Sequence, residues 1–312
     1  MSRIANKKKK RNRTLRGDSS GDESDREIYS LDADILINKA FTLYRCTPFY
    51  KFELSKLHQY AKEIKKFIEG QMTGILPFDS SLDEFENINM LKEGKVTDVV
   101  ISRIKIPEWN VSNKLPIGIE IQFRSKKSST EQKFHIVLFP SIRHGDDTKN
   151  SPSFSHYPLI IIKAPQRITT IFIEWIQRQF DCRICRHHLL SSNLKGIIED
   201  SPSVSKQTEL TYSIPNISEI KNITLRISFE DIKRLYDRII QKDTEHSETL
   251  SIMEGIENHF FHCLRIKFTS LTLSKISTNV GHITCDGKLK LFKVFNSHLT
   301  ASFLEKLVIT AQ

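Results

Sequence analysis

Residues 264–308 read LRIKFTSLTLSKISTNVGHITCDGKLKLFKVFNSHLTASFLEKLV and contain the clearest succession of strand, turn, strand and helix signals in the chain. In the first part of this stretch, apolar residues alternate with polar ones in two consecutive runs. Such alternation is typical of strands with one buried face, so we predict a pair of long half-buried strands. The apolar positions of the two runs are Leu264, Ile266, Phe268, Leu271, Leu273 and Ile276.

The dipeptide Asp286-Gly287 predicts a hairpin, and the apolar pattern around it selects the loop length. A two-residue loop would place Ile283 opposite Lys290, which brings a charge onto the buried face. A three-residue loop that starts one position earlier, with the glycine in the left-handed region, instead places Ile283 opposite Leu289. We therefore predict the three-residue loop.

A helix follows the hairpin, because Ser297 or Asn296 offers an N-cap and apolar residues then recur at helical spacing. Its apolar face consists of Leu299, Phe303, Leu304, Leu307 and Val308.

Upstream of this stretch, alternating segments predict strands near 96–106, 117–124, 133–139, 159–163, 207–214 and 222–227. Helical periodicity predicts helices near 54–70, 168–180, 228–239 and 247–262. The expected fold class is α+β, with two halves that each contain a mostly antiparallel open sheet packed by helices. The predicted organisation is a tail at 1–30, an N-terminal α/β domain at 31–190, a junction at 191–216, and a C-terminal α/β domain at 217–312.

The N-terminal tail is strongly charged and carries few apolar residues, which predicts disorder. Residues 1–16 contain eight Lys or Arg and no acid, whereas residues 17–34 contain seven acids and one Arg. The formal net charge of +10 therefore leaves +8 on the body, a mild indication of nucleic acid as a partner. The basic cluster indicates a nuclear import signal or a contact with DNA, and it comprises Lys7, Lys8, Lys9, Lys10, Arg11 and Arg13.

Composition argues against several classes of protein. The chain is 38% hydrophobic and 27% charged, as expected for a soluble globular protein. No apolar run approaches the roughly 20 residues of a membrane helix, and no apolar segment follows the N-terminal charges, so we predict neither membrane insertion nor secretion. Five scattered cysteines predict reduced thiols in the cytosol or nucleus.

Motifs for chemistry are absent from the sequence. It contains no GxGxxG, GxxxxGK[ST], HExxH or GxSxG pattern, so we predict no enzyme, no cofactor and no small-molecule substrate. One cluster joins Cys182 and Cys185 to His187 and His188. A structural zinc site usually has a distant second pair of ligands, which this cluster lacks, so we predict no metal site.

Three stretches resemble the centromere protein L family of the inner kinetochore. Residues 277–293, STNVGHITCDGKLKLFK, resemble the family's C-terminal hairpin. Residues 41–68, FTLYRCTPFYKFELSKLHQYAKEIKKFI, resemble its opening motif, and residues 175–182, WIQRQFDC, resemble its central helix. The three matches follow the family order and span nearly the whole chain after residue 35.

This resemblance implies a function that composition does not reveal. The expected protein is a nuclear structural subunit of the constitutive centromere-associated network, which supports kinetochore assembly and chromosome segregation. It would form a heterodimer with centromere protein N through its C-terminal half, contact centromeric chromatin, and bind other inner-kinetochore subunits. We predict that the partner joins or covers this sheet and contacts the apolar positions of the two alternating runs named above; the alternative is that these side chains form the core of the chain itself.

A second function class remains open from the residues alone. The basic body and tail are also typical of a stand-alone nuclear protein that binds nucleic acid without sequence preference. Diffuse positive charge without a base-reading motif predicts weak, strongly salt-dependent binding in either case.

Overall fold

The computed structural model describes residues 31–72, 94–109, 114–125, 131–142, 153–199, 207–215, 221–243, 251–294 and 297–312. The basic cluster at 7–13 and the tail predicted to be disordered lie outside these residues.

The strands are β1 (Leu31–Asp32), β2 (Ala40–Cys46), β3 (Phe49–Tyr50), β4 (Gly94–Lys105), β5 (Ile117–Ser125), β6 (Glu131–Phe139), β7 (Phe154–Ser155), β8 (Leu159–Lys163), β9 (Ile184–Arg186), β10 (Gln207–Ser213), β11 (Asn222–Ser228), β12 (Thr272–Ser277), β13 (Gly281–Thr284) and β14 (Lys288–Leu291). The α-helices are α1 (Leu57–Met72), α2 (Gln166–Phe180), α3 (Ser191–Glu199), α4 (Phe229–Asp243), α5 (Ile252–Leu264) and α6 (Ser297–Ala311). Short 3₁₀ helices occupy Ala33–Leu36, Leu54–Lys56 and Phe268–Ser270.

One mostly antiparallel sheet runs through both halves of the chain. Its strand order is β1-β4-β5-β6-β8-β2-β14-β13-β12-β10-β11, with β9 also paired to β2. The two halves meet where β2 pairs with β14, with Phe41 opposite Leu289. The predicted α+β class is confirmed, and the strands of the two halves contribute to a single sheet. The range 191–216 contains α3 and β10, and a domain division there remains a prediction.

The two faces of the sheet are covered differently. On one face, named here the α6 face, helices α3, α4, α5 and α6 pack on strands of both halves. On the opposite face, named the α2 face, helices α1 and α2 pack on strands of the N-terminal half. In the described part of the chain, the buried apolar residues of β10 to β14 all belong to the core on the α6 face. The α2 face of the C-terminal half therefore contributes no buried apolar residue to a core.

The predicted hairpin register is confirmed. Ile283 lies opposite Leu289, and Gly287 takes a φ of 75° in the left-handed region. Only glycine enters that region without strain, and a side chain here would also collide with the carbonyl of His187.

The alternating run at 264–269 is not a strand, contrary to the prediction. Helix α5 extends to Leu264, and Arg265 closes it in the left-handed region with its N–H bonded to the Phe261 carbonyl at 2.8 Å. The chain then turns through a 3₁₀ helix so that Phe268 packs against Tyr212, their ring centroids 5.1 Å apart. A helix end followed by a tight turn spaces apolar residues in the same way as a short strand, so the pattern is ambiguous over three positions.

The second alternating run does form β12. Leu273 and Ile276 both face the core although they are three positions apart, because a bulge leaves Ser274 without a Cα partner in β10. Strand β12 lies between β10 and β13 and is not an edge strand.

Candidate partner and nucleic-acid interfaces

The C-terminal half of the sheet ends in an edge strand. Strand β11 pairs with β10 over its whole length, and within the described ranges its outer side has no strand partner. Asn222, Thr224 and Arg226 of this strand are exposed. An edge strand with free backbone groups is a template on which another chain can add a strand.

The register identifies which backbone groups of β11 point outward. The N–H of Ile214 donates to the carbonyl of Lys221 at 3.0 Å, so this pair is hydrogen-bonded across β10 and β11. Hydrogen-bonded and non-bonded pairs alternate along antiparallel strands. Thr224, opposite Thr211, is therefore a residue whose N–H and carbonyl point away from β10.

A groove lies beside this edge, between β11, α4 and α5. Its floor is apolar and includes Ile227, Ile232 and Phe260, and its rim is basic. The polar side chains of the rim are Arg234, Arg238 and His259, with Asp231 as the acidic one. The groove therefore combines apolar contact with a preference for acidic groups.

The six predicted partner contacts fall into different environments. Phe268, Leu273 and Ile276 lie in the core of the chain, with at most 1% of each residue exposed. Ile266 and Leu271 are half-buried, and Leu264 is 49% exposed. Of the six, Leu264 alone is exposed; the role of the set as a docking site remains a prediction.

Phe261, which was not among the predicted contacts, lies one turn before Leu264 on the last turn of α5 and is 38% exposed. The two residues form an apolar pair at helical spacing. Because the inward positions of α5 include Ile256 and Phe260, the neighbouring Phe261 had to point outward. The helical spacing of the inward positions could therefore have revealed that Phe261 is exposed.

The α2 face of strands β9 to β14 is polar and basic. Lys290 lies beside Ala40 of β2 and beside His282 of β13, and further along the sheet Glu209 lies beside Arg226. The charged side chains on this face are the cations Arg186, Arg226, Lys275, Lys288 and Lys290 and the anions Glu209 and Asp286. Five cations against two anions leave a surplus of three positive charges. We call this surface the open basic face.

Contacts within the face show where the positive charge is compensated. Glu209 accepts from Arg226 at 2.9 Å, and Asp286 lies 3.6 Å from Arg186 and 3.5 Å from Lys288. A hydrogen bond from Thr284 lowers the pKa of Asp286, and Lys288 and Arg186 act in the same direction. Burial lowers the pKa of His282, and the charges of Lys275 and Lys290 lower it further. His282 is thus neutral and sits between two ammonium groups.

The open basic face is broad. Five adjacent strands, β14-β13-β12-β10-β11, span about 19 Å at the usual spacing between strands. That width is comparable with a DNA duplex. The face could not be predicted from the sequence, because strand alternation reveals which positions are polar but not whether a helix covers them.

Three of the four side chains of the Cys-His cluster contact different neighbours, and the fourth, His188, is exposed. Arg45 donates to the Cys185 thiol at 3.0 Å, the His187 ring contacts the Thr310 hydroxyl at 3.1 Å, and Cys182 packs against the core on the α2 face. Among the residues that the structure describes, no group of three His, Cys, Asp or Glu side chains is placed to hold a metal ion. No helix within the described ranges is both long and apolar enough to cross a membrane.

Comparison with known proteins identifies relatives along most of the chain. The family model described as "Centromere protein L" matches residues 35–312. Centromere protein L of Gallus gallus is 27% identical over 83% of this chain and 75% of its own length. The protein of that name from Homo sapiens is 24% identical over 82% of this chain and 74% of its own length. The inner kinetochore subunit fta1 of Schizosaccharomyces pombe is 22% identical over 82% of this chain and 89% of its own length. The chain therefore belongs to the centromere protein L family, and with it to the nuclear proteins of the centromere and kinetochore.

Proposed function

We propose that this chain is a non-enzymatic structural subunit of the inner kinetochore that pairs with centromere protein N through its C-terminal half and contacts centromeric DNA without reading its sequence. The observation that carries the proposal is that the C-terminal half of the sheet has one edge and one face without a partner among the described residues. The outer side of its edge strand, β11, has no strand partner among the described residues. The α2 face of this half is polar and basic and contributes no buried apolar residue to a core.

The unpaired edge supports pairing with a protein partner. A strand added to β11 would use the outward backbone groups, including those of Thr224. Apolar contact would come from the pair Phe261 and Leu264 and from the floor of the adjacent groove. Ile266 and Leu271, both half-buried, would support this surface from beneath, while Phe268, Leu273 and Ile276 hold the sheet together.

Two substitutions at one position test the strand pairing. Thr224→Pro removes an outward N–H without removing a hydrogen bond to β10, whereas Thr224→Ala keeps the N–H and removes only the side chain. We expect the proline variant to lose roughly tenfold in affinity for centromere protein N, because one hydrogen-bonded pair of the added strand is lost, and the alanine variant to bind normally. Equal affinity of both variants, with unchanged melting temperatures, would argue against pairing on this edge.

The apolar contact has its own matched control. Phe261→Asp with Leu264→Asp places charges on the exposed end of α5, and Phe154→Asp places one on an exposed aromatic residue, 53% exposed, in the N-terminal half. All three positions are exposed, so circular dichroism should be unchanged. Co-purification of centromere protein N should fail for the α5 variant only.

The open basic face supports the DNA contact. Phosphates attract Lys and Arg, and the release of condensed counterions makes such binding salt-dependent and indifferent to sequence. We expect the triple variant Lys275→Glu, Lys288→Glu and Lys290→Glu to bind a random duplex more weakly. The slope of log K against log salt concentration should decrease in magnitude by about 2 to 3. The control is Lys56→Glu with Lys62→Glu and Lys66→Glu, near and on α1. Equal losses in both variants would contradict a specific role for the open face.

A further inference from the structure

Two of the cations on the open basic face have no acidic partner among the residues that the structure describes. The carboxylates of Glu209 and Asp286 lie with Arg226, Arg186 and Lys288. Lys275 and Lys290 lie on either side of His282, which is held neutral by burial and by these two charges. The centre of the face is therefore a concentrated positive surface with no anion of its own in the described chain.

The chain contains a segment of complementary charge. Residues 17–30, GDSSGDESDREIYS, include five acids and one Arg, for a net charge of −4. Three serines, Ser19, Ser20 and Ser24, stand among the acids.

The tether is short enough for the segment to reach the face. Backbone N–H of Asn38 donates to the Leu291 carbonyl at 2.7 Å, and Ala40 lies opposite Lys290, so the chain at 38–40 runs beside the face. Residue 31 is seven positions before Asn38 and hence at most about 25 Å from it. Lys290 is therefore at most about 30 Å from Leu31, a distance that an extended run of about nine residues, back to Asp22, can span, and Asp18 reaches farther still.

We propose that the acidic segment at 17–30 binds the open basic face of the same chain and competes there with DNA. The inference rests on the proposed function, since it concerns the regulation of the same face. A tethered segment competes at a high effective concentration, so even weak ion pairing raises the concentration of chain needed to bind DNA. Additional negative charge in the segment strengthens the competition.

The first test measures DNA affinity of the full chain by fluorescence anisotropy with a random duplex. One variant neutralises the segment through Asp18→Asn, Asp22→Asn, Glu23→Gln and Asp25→Asn, and another adds charge through Ser19→Glu, Ser20→Glu and Ser24→Glu. We expect the neutral variant to bind about tenfold more tightly than the unchanged chain and the charged variant to bind more weakly. Both variants are repeated with Lys275→Gln and Lys290→Gln.

The lysine background separates failure of the inference from failure of the proposed function. We expect the effects of both segment variants to shrink toward zero when Lys275 and Lys290 are neutral. If the segment variants act equally in both backgrounds, the segment screens another surface, such as the basic residues at 1–16, and the inference is overturned. If the lysine substitutions leave DNA affinity unchanged even in the neutral-segment chain, the proposed DNA contact itself is wrong.

A second measurement reads the contact directly. Carbodiimide joins a carboxylate to an amine with loss of water and so records ion pairs. In the full chain we expect cross-links from Asp18, Asp22 or Asp25 to Lys275 or Lys290, and we expect excess DNA to suppress them. Cross-links from the segment only to lysines at 7–10 would overturn the inference.

Discussion

Glu257 is a buried residue of α5 whose carboxylate connects three elements. Its Oε1 accepts from the Tyr212 hydroxyl of β10 at 3.0 Å and from Lys195 Nζ of α3 at 2.7 Å. Burial raises the pKa of Tyr212, and the Glu257 charge raises it further, so the phenol remains a neutral donor.

We predict that Glu257→Ala lowers the free energy of unfolding by about 3 kcal/mol, because it leaves the ammonium of Lys195 and the phenol without their acceptor. Asn258→Ala, on the exposed side of the same helix, should cost less than about 0.5 kcal/mol. Urea unfolding of both variants checks this prediction. Similar midpoints for the two variants would contradict it.

His135 gives the stability a pH dependence. It is 4% exposed, and its Nε2 accepts from Lys39 at 3.0 Å, which requires a neutral ring. Burial, together with the charge of Lys39, lowers the pKa of His135 from 6.5 to about 4. Glu120 lies 3.8 Å from the other ring nitrogen and opposes the shift only in part.

A depressed histidine pKa means that the unfolded chain binds the proton more readily. The contribution of His135 is present above pH 6.5 and is lost as the pH falls toward 4. We predict that His135→Gln, which is neutral at all pH values, has a smaller loss of melting temperature between pH 6.5 and 4 than the unchanged chain. His187 and His282, and the carboxylates Glu120 and Asp286, whose pKa values are also lowered, contribute to the remaining slope. An unchanged slope would contradict the prediction.

The hairpin between β13 and β14 is the element that the sequence determined best. Gly287 needs a positive φ, and its neighbour His187 leaves no room for a side chain. We predict that Gly287→Ala lowers the free energy of unfolding by at least about 1 to 2 kcal/mol, the cost of forcing alanine into the left-handed region. Gly196→Ala is the matched control, because Gly196 lies within α3 and a Cβ there meets nothing within 4 Å.

The two glycine substitutions should therefore change stability in opposite directions. Alanine in a helix interior gains up to about 1 kcal/mol over glycine. Thermal melts of both variants check the pair, and a stabilised Gly287→Ala chain would contradict the left-handed turn.

The elements show what sequence patterns determine and what they do not. Turn register and helix faces are local, so Ile283 opposite Leu289 and the buried Phe303 and Leu307 followed from spacing. The prediction of a strand at 264–269 was wrong because three apolar positions fit both a strand and a capped helix end. Burial of Phe268, Leu273 and Ile276 depends on where helices pack, and alternation does not encode that.

At the scale of the whole molecule, both halves share one sheet and the core on its α6 face. Pairing of β2 with β14 joins them, and the core on the α6 face includes Phe41 and Leu159 from the first half and Leu273 and Ile283 from the second. Elements that share a core lose their packing together, so we predict a single unfolding transition.

Tryptophan fluorescence can test this prediction because the two tryptophans, Trp109 and Trp175, both lie in the N-terminal half. Ile276→Ala removes a fully buried side chain from β12, which pairs only with β10 and β13, and should cost about 2 to 5 kcal/mol. If the halves unfold together, the whole loss of stability appears as a lower urea midpoint of the fluorescence transition. The dependence of the unfolding free energy on urea concentration stays the same. Val99→Ala in β4 serves as the control, since it shifts the same signal in either case. If Ile276→Ala leaves the fluorescence midpoint unchanged but lowers the midpoint followed by far-ultraviolet circular dichroism, the two halves are independent domains.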